Sequence, residues 1–295
     1  MALTLTEAAK LSNDVLQAGV IETVVKESPV LQVLPFIDIV GNGLTYNREN
    51  AAASAGFFDV GDTWTEDTPT FTQQTATLKI LGGDADIDNF LIATRSNVQD
   101  LEAAVVQLKA KAVQQKFDDT FVNGDVPSDP KSFDGIDVLT AAGQTVSMGV
   151  NGGTLTLDKL DELIDLVKTG KPDMLLMSKR TRRTLNGLAR SSGSFLEADR
   201  NEFGQMVQFF DGIPIGLNDH ISDAQTVGTS TDCSTIHAVQ FGEGGVAGLT
   251  APGGIEIENV GSLELKDAKR TRVKWYVSLA LFNTIKLAKL IGVRP

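Results

Sequence analysis

Residues 50–69 restrict what this chain can become more than any other stretch. They hold four acids (Asp59, Asp62, Glu66 and Asp67), no base, and a background of Ala, Gly and Thr. That is too little apolar surface to bury itself. Two extended runs flank the stretch, 44–49 and 70–81, and the second carries Phe71, Thr72, Thr75, Thr77, Leu78 and Ile80. β-Branched and aromatic residues at that density predict strand. The reading is a long two-stranded excursion with a flexible tip. An isolated two-stranded ribbon is marginal in water, so something outside the chain is expected to complete it.

Around this excursion the pattern is α+β. Residues 6–26 show helical spacing through Ala8, Leu11 and Val15. Residues 29–40 are apolar with Pro29 and Pro35, which predicts an edge strand or extended arm. Ser96 and Gln99 form a capping box ahead of Val98, Leu101, Val105, Leu108 and Ala112. Phe117 and Phe121 continue that helix until Asn123-Gly124, giving roughly 40 Å of spine. Residues 124–153, with six glycines, read as a crossover. Leu160, Leu163, Ile164 and Val167 then mark an amphipathic helix, 174–177 a buried strand, and Ser178 the cap of a second helix. Residues 209–217 read as a hairpin and 236–241 as a buried strand. In the tail, Val273, Trp275, Val277, Leu279 and Leu281 alternate with Lys274, Tyr276 and Ser278, a strand with one buried face.

Charge and composition close off several function classes. The 295 residues carry Lys+Arg 26 against Asp+Glu 38, a net charge of -12. Proteins built to grip phosphate backbones carry the opposite sign. A single cysteine, Cys233, makes neither an internal disulfide nor a thiolate metal site, and two histidines leave little for imidazole chemistry. There is no basic n-region with an apolar core at the start, and 277–293 is interrupted by Asn283, Lys286 and Lys289, so neither a signal peptide nor a membrane span is expected.

Motifs that suggest chemistry fail on context. Residues 242–247 scan as G-x-G-x-x-A, but glycines and Pro252 follow where a phosphate-binding helix should open. Asp84, Asp86 and Asp88 resemble the start of a calcium loop, yet the sixth position is Asn89 and the twelfth Arg95, so alternating acids on a strand explain them. A hydrolase would have to use Asp219 and His220 without any nucleophile signature. Lys179, Arg180, Arg182 and Arg183, joined by Arg190, form a dense basic run in which Lys179, Arg182 and Arg183 share one side of a helix, and a second basic stretch runs from Lys266 to Lys274. Both are read as pairing with acidic surface of this chain or a neighbour in preference to nucleic acid. No catalytic, cofactor-binding or metal residue is assigned, and no cofactor is expected.

The order of these pieces resembles the major capsid proteins of tailed bacteriophages, which share the Hong Kong 97-like fold. Locally, Asp173 to Arg180 resembles that family's strand leading into a short helix, Asp211-Gly212-Ile213-Pro214-Ile215 resembles its hairpin, 268–293 its long closing strands, and 1–35 the opening of some members. The resemblance implies an N-terminal arm (1–41), an extended loop lying over a neighbouring subunit (42–86), a peripheral domain with the spine helix (87–153 and 254–295) and an axial domain (154–253). It implies a non-enzymatic shell subunit assembling as pentamers and hexamers of an icosahedral head around double-stranded DNA. Neighbouring capsomers would be held through arm and loop, and DNA touched only indirectly. The portal would be a partner, any scaffold a separate protein, and the location the virion after assembly in the host cytoplasm. Lys79 is the loop's only lysine and sits near the wrong end, so no covalent cross-linking is expected. The alternatives are an encapsulin-type shell enclosing a cargo enzyme, or a soluble α/β enzyme.

Overall fold

A computed structural model describes residues 28–51, 55–64, 68, 70–95, 101–191, 197–200 and 206–295. The helical spacing read in 6–26 and the Ser96/Gln99 capping box lie outside the described residues.

Helix α1 (Pro29–Val33) opens the described chain, followed by β1 (Phe36–Asp38). The sequence favours extended backbone across 29–40, and the structure corrects this for the first half. The Leu31 N–H donates to Ser28 Oγ at 3.2 Å, and Pro29 sits in the first turn. The amide that proline lacks would have had no helical partner there, and Pro35 then forces Leu34 out of the helical region. The ribbon follows, β2 (Gly43–Ala51) paired antiparallel with β3 (Thr70–Thr77), and then β4 (Lys79–Asp88) and α2 (Asn89–Arg95). The spine is α3 (Leu101–Asn123), whose 23 residues span roughly 34 Å. The chain continues through α4 (Ile136–Leu139), β5 (Thr145–Ser147), β6 (Gly153–Thr154), α5 (Leu157–Leu166), β7 (Met174–Met177) and α6 (Lys179–Ser191). Strands complete it: β8 (Glu197–Arg200), β9 (Met206–Phe210), β10 (Ile213–Leu217), β11 (Gln225–Val227), β12 (Ser230–Val239), β13 (Val246–Ser262), β14 (Ala268–Leu281) and β15 (Leu287–Arg294).

These strands form two sheets beside the ribbon. The first has the order β1-β13-β14-β4, and α3 packs across β4 and β14. The second runs β5-β15-β12-β7-β10-β9-β8, with β6 on β15 and β11 on β12. Within 254–295, β14 lies in the first sheet and β15 in the second. Residues 145–147 and 153–154 likewise pair with β15.

Two cores share β7. Met174 and Leu176 point into a core with Phe117, Trp275 and Val239, while Leu175 and Met177 point into one with Leu160, Leu163, Leu185 and Ile236. Period-two alternation makes one strand serve both. Phe117, with no exposed surface, is the hub of the first, its ring 4.8 Å from Trp275, 6.0 Å from Phe36 and 5.8 Å from Phe133. The spine's buried stripe runs through Val113, Phe117 and Phe121. Ala112, expected on the inner face, is exposed. Two phenylalanines a helical turn apart outweigh an alanine in choosing which side turns inward. The tail alternates as read through Val277, with Val273, Trp275 and Val277 buried, but from there both faces are covered: Ser278, read on the polar face, is buried along with Leu279, Ala280 and Leu281. The 209–217 hairpin closes through Asp211 (φ 50°) and Gly212 (φ 76°), the doubly left-handed turn that matches strand twist.

Candidate assembly surfaces

The ribbon has an inner and an outer face. On the inner one, Leu44, Tyr46 and Ala76 pack near Ile37 and Phe282, with the Tyr46 ring 4.8 Å from that of Phe282. Tyr46 Oη (3.0 Å) and Arg48 Nη2 (2.5 Å) both donate to the Leu281 carbonyl, at the point where the chain leaves the first sheet for the second. The outer face shows Asn47, Gln73 and Phe71 to solvent, and Thr45 and Thr75 bring their hydroxyls within 3.1 Å. Sequence reading missed the Tyr46/Arg48 latch. Its only local signal is a tyrosine and an arginine two apart in an otherwise polar strand.

The tip is built differently. Asp59 N–H donates to the Asp62 carboxylate at 2.7 Å and Val60 N–H to that of Asp59 at 2.9 Å, so two of the four acids shape a turn. Phe58 stacks on Trp64 with centroids 4.4 Å apart. Phe57 and Val60 remain fully exposed and Trp64 is 76% exposed. One ring pair cannot bury itself, and aromatic surface at the end of a ribbon is what a partner would cover. Lys79, counted with this loop in sequence, starts β4 and donates to the Pro130 carbonyl at 2.8 Å.

The outer face of the first sheet is an ion ladder. Arg270 grips Asp86 through Nε–Oδ1 (2.6 Å) and Nη2–Oδ2 (2.7 Å), and Arg272 grips Asp84 in the same fork (2.7 and 3.1 Å). Lys274 reaches Glu256 and Glu258, both at 3.1 Å. The hydrogen bonds from Arg272 and Arg270 hold the Asp84 and Asp86 carboxyls below their ordinary range. Asp84 and Asp86 are thus partners of the second basic stretch, while Asp88 accepts from the Phe90 N–H at 2.8 Å, and no cluster among the described residues would hold a metal. Matching i, i+2 spacing of acids in one strand and arginines in another was the signal available in sequence.

Helix α6 carries the dense basic run. Ser178 Oγ accepts from the Thr181 N–H at 3.2 Å, the cap expected from sequence. Lys179 pairs with Asp219 at 2.9 Å, and Arg180 with the Asp232 carbonyl (2.8 Å) and the Asp223 carboxylate (3.3 Å). Arg183 and Arg190 point outward. The residues of the enzyme alternative have structural company: Asp219 holds Lys179, and His220 Nδ1 lies 3.9 Å from Asp119 on the spine. Cys233 is buried in β12. His237, opposite Lys289, is wholly buried. Desolvation, with Lys289 nearby, pushes its pKa down to about 4 and leaves the imidazole neutral. The 242–247 glycines make a turn, with Gly242 at φ 118° and its N–H donating to the Val246 carbonyl.

Against known proteins, the model of the phage capsid family matches residues 10–283. This chain belongs to the phage capsid family. Its fold is Hong Kong 97-like. The SrpI encapsulin of Synechococcus elongatus PCC 7942, solved as a holo complex, is similar over 100% of this chain and 97% of its own at TM-score 0.73 and 18% identity. The capsid of a native GTA particle matches over 91% of this chain and 92% of its own, at TM-score 0.67 and 14% identity. A structure from Microbacterium phage Oxtober96 matches over 92% of each chain at TM-score 0.65 and 15% identity. No curated protein matches. As a member of the phage capsid family the chain is a shell protein and a virion component, and the surfaces above are read as shell contacts. No described helix is long and apolar enough to cross a membrane.

Proposed function

We propose that this chain is the major subunit of a tailed-phage head, assembling as pentamers and hexamers into an icosahedral shell around double-stranded DNA. The observation that carries the reading is the ribbon, latched to the body at its base while Phe57, Val60 and Trp64 sit exposed at its far end. Burial against a neighbouring subunit would complete it, so its apolar surface stabilises the lattice and not the monomer. The first sheet with the spine would be the peripheral domain, and the second sheet with α5 and α6 the axial domain meeting its copies around the five- and six-fold axes. The net charge of -12 suits a wall that must not adhere to the DNA inside it. Assembly would take place in the host cytoplasm, with a portal at one vertex. No step calls for a catalytic residue.

Deletion of residues 50–68 is the test. Electron microscopy and a sizing column should find a folded chain that no longer makes shells, and normal shells from this variant would refute the ribbon's role. A second reading, an encapsulin-type compartment, is favoured by the full-length similarity to SrpI. Particles isolated from the native source separate the two: nuclease-protected DNA inside supports the head, a cargo protein the compartment.

A further inference from the structure

The two helices of the second sheet lie side by side with opposite charge. The paths β6–α5–β7 and β7–α6–β10 each link parallel strands and step the same way across the sheet, so right-handed crossovers put both helices on one face. Leu160 and Leu163 of α5 and Leu185 of α6 accordingly share one core. Within that layer α5 touches β15 and β5, while α6 lies toward β9, where the Asn186 amide donates to Gln208 at 3.3 Å. One helix thus guards each half of the sheet.

Their outward stripes differ in sign. Helix α5 exposes Asp158, Asp161, Glu162 and Asp165, spaced three and four apart, and its Lys159 is spent on Glu162 at 2.6 Å. Helix α6 exposes Arg183 and Arg190. Arg183 has no ion pair among the described residues, and Arg190 Nε donates to the Asn186 carbonyl of its own helix. Partial burial and the crowding of Asp211, Asp158 and Asp165 raise the Asp161 pKa, a sign of negative charge left uncompensated.

We infer that the acidic stripe of α5 on one copy seats against the basic stripe of α6 on the next, forming a head-to-tail contact that closes subunits into a ring. This rests on the shell reading above. A contact between two different surfaces of the same chain is the kind that generates closed rings. Like-charge pairing of α5 with α5, or α6 with α6, is disfavoured, which fixes the direction in which subunits join.

Three variants test it: Asp161→Lys with Asp165→Lys, Arg183→Glu with Arg190→Glu, and all four changes together. The altered side chains are exposed, and circular dichroism checks that each variant folds. Mass photometry should find the assembled fraction reduced at least tenfold in each charge-reversed pair and restored to within about threefold of wild type in the fourfold variant. The wild-type contact should also weaken with salt. Pairs that assemble like wild type, or a fourfold variant no better than the worse pair, overturn the inference while leaving the shell reading intact. So does a result in which reversing Arg183 and Arg190 abolishes only salt-sensitive DNA binding, since the stripe is then a nucleic-acid contact. A wild-type chain that stays monomeric at every concentration and salt overturns both.

Discussion

Replacing Asp118 with asparagine should stabilise the folded chain at neutral pH and leave it unchanged near pH 4. Asp118 lies on the spine, 6% exposed, and burial pushes its pKa from 3.8 up to about 6 even though Ser28 Oγ–H donates to it at 2.5 Å. Between pH 4 and 6 the folded chain therefore holds a proton that the unfolded chain releases. Stability from this group is present at the acid end and is lost as pH rises through 6. A shift of this size corresponds to about 3 kcal/mol of destabilisation at pH 7. Asparagine keeps an acceptor for Ser28, so the start of α1 survives while the buried charge disappears. His237 acts in the opposite sense. Its pKa is depressed to about 4, so the unfolded chain binds the extra proton between pH 4 and 6.5, and stability falls as pH drops through that window. In the wild type the two slopes oppose. In Asp118→Asn the histidine's slope is uncovered, and stability should climb as pH rises from 4 to 6. Urea unfolding of dilute, unassembled chain at pH 4.5, 5.5 and 7.5, followed by far-ultraviolet circular dichroism, reads this directly. The reasoning fails if the difference between variant and wild type is the same at all three pH values.

Further outcomes follow from the packing. Phe117→Ala empties the hub between Phe36, Trp275 and Phe133 and should cost about 3–5 kcal/mol in the same urea assay. Gly248→Ala would drive a methyl group into the Phe36 ring where β1 lies against β13; amide exchange should accelerate across 36–39 at a cost of about 1–3 kcal/mol, with the second sheet unaffected.

Legibility in sequence followed how local the cause was. The 209–217 hairpin, the Ser178 cap and the tail's alternation as far as Val277 are short-range signals, and each appears where it was read. The α1 helix was missed because two prolines read as extended, though one of them stands where a helix tolerates it. The spine's orientation turned on which side chains met β14, a fact about tertiary packing. The division of the tail between two sheets is equally non-local: β14 and β15 are separated only by residues 282–286, with a single 3-10 turn at Thr284–Lys286, and nothing there marks a change of sheet. On the surfaces, the unsupported ribbon was legible from composition, whereas the Arg270–Asp86 and Arg272–Asp84 forks join residues 184 and 188 positions apart.

A reconstruction by cryo-electron microscopy of particles formed by the full chain tests the central claim most directly, because it sees where the ribbon tip goes. The account predicts closed particles in which Phe57, Val60 and Trp64 are buried against another copy. Particles whose tips project free into solvent, or a full chain that forms no particles at all, would contradict it.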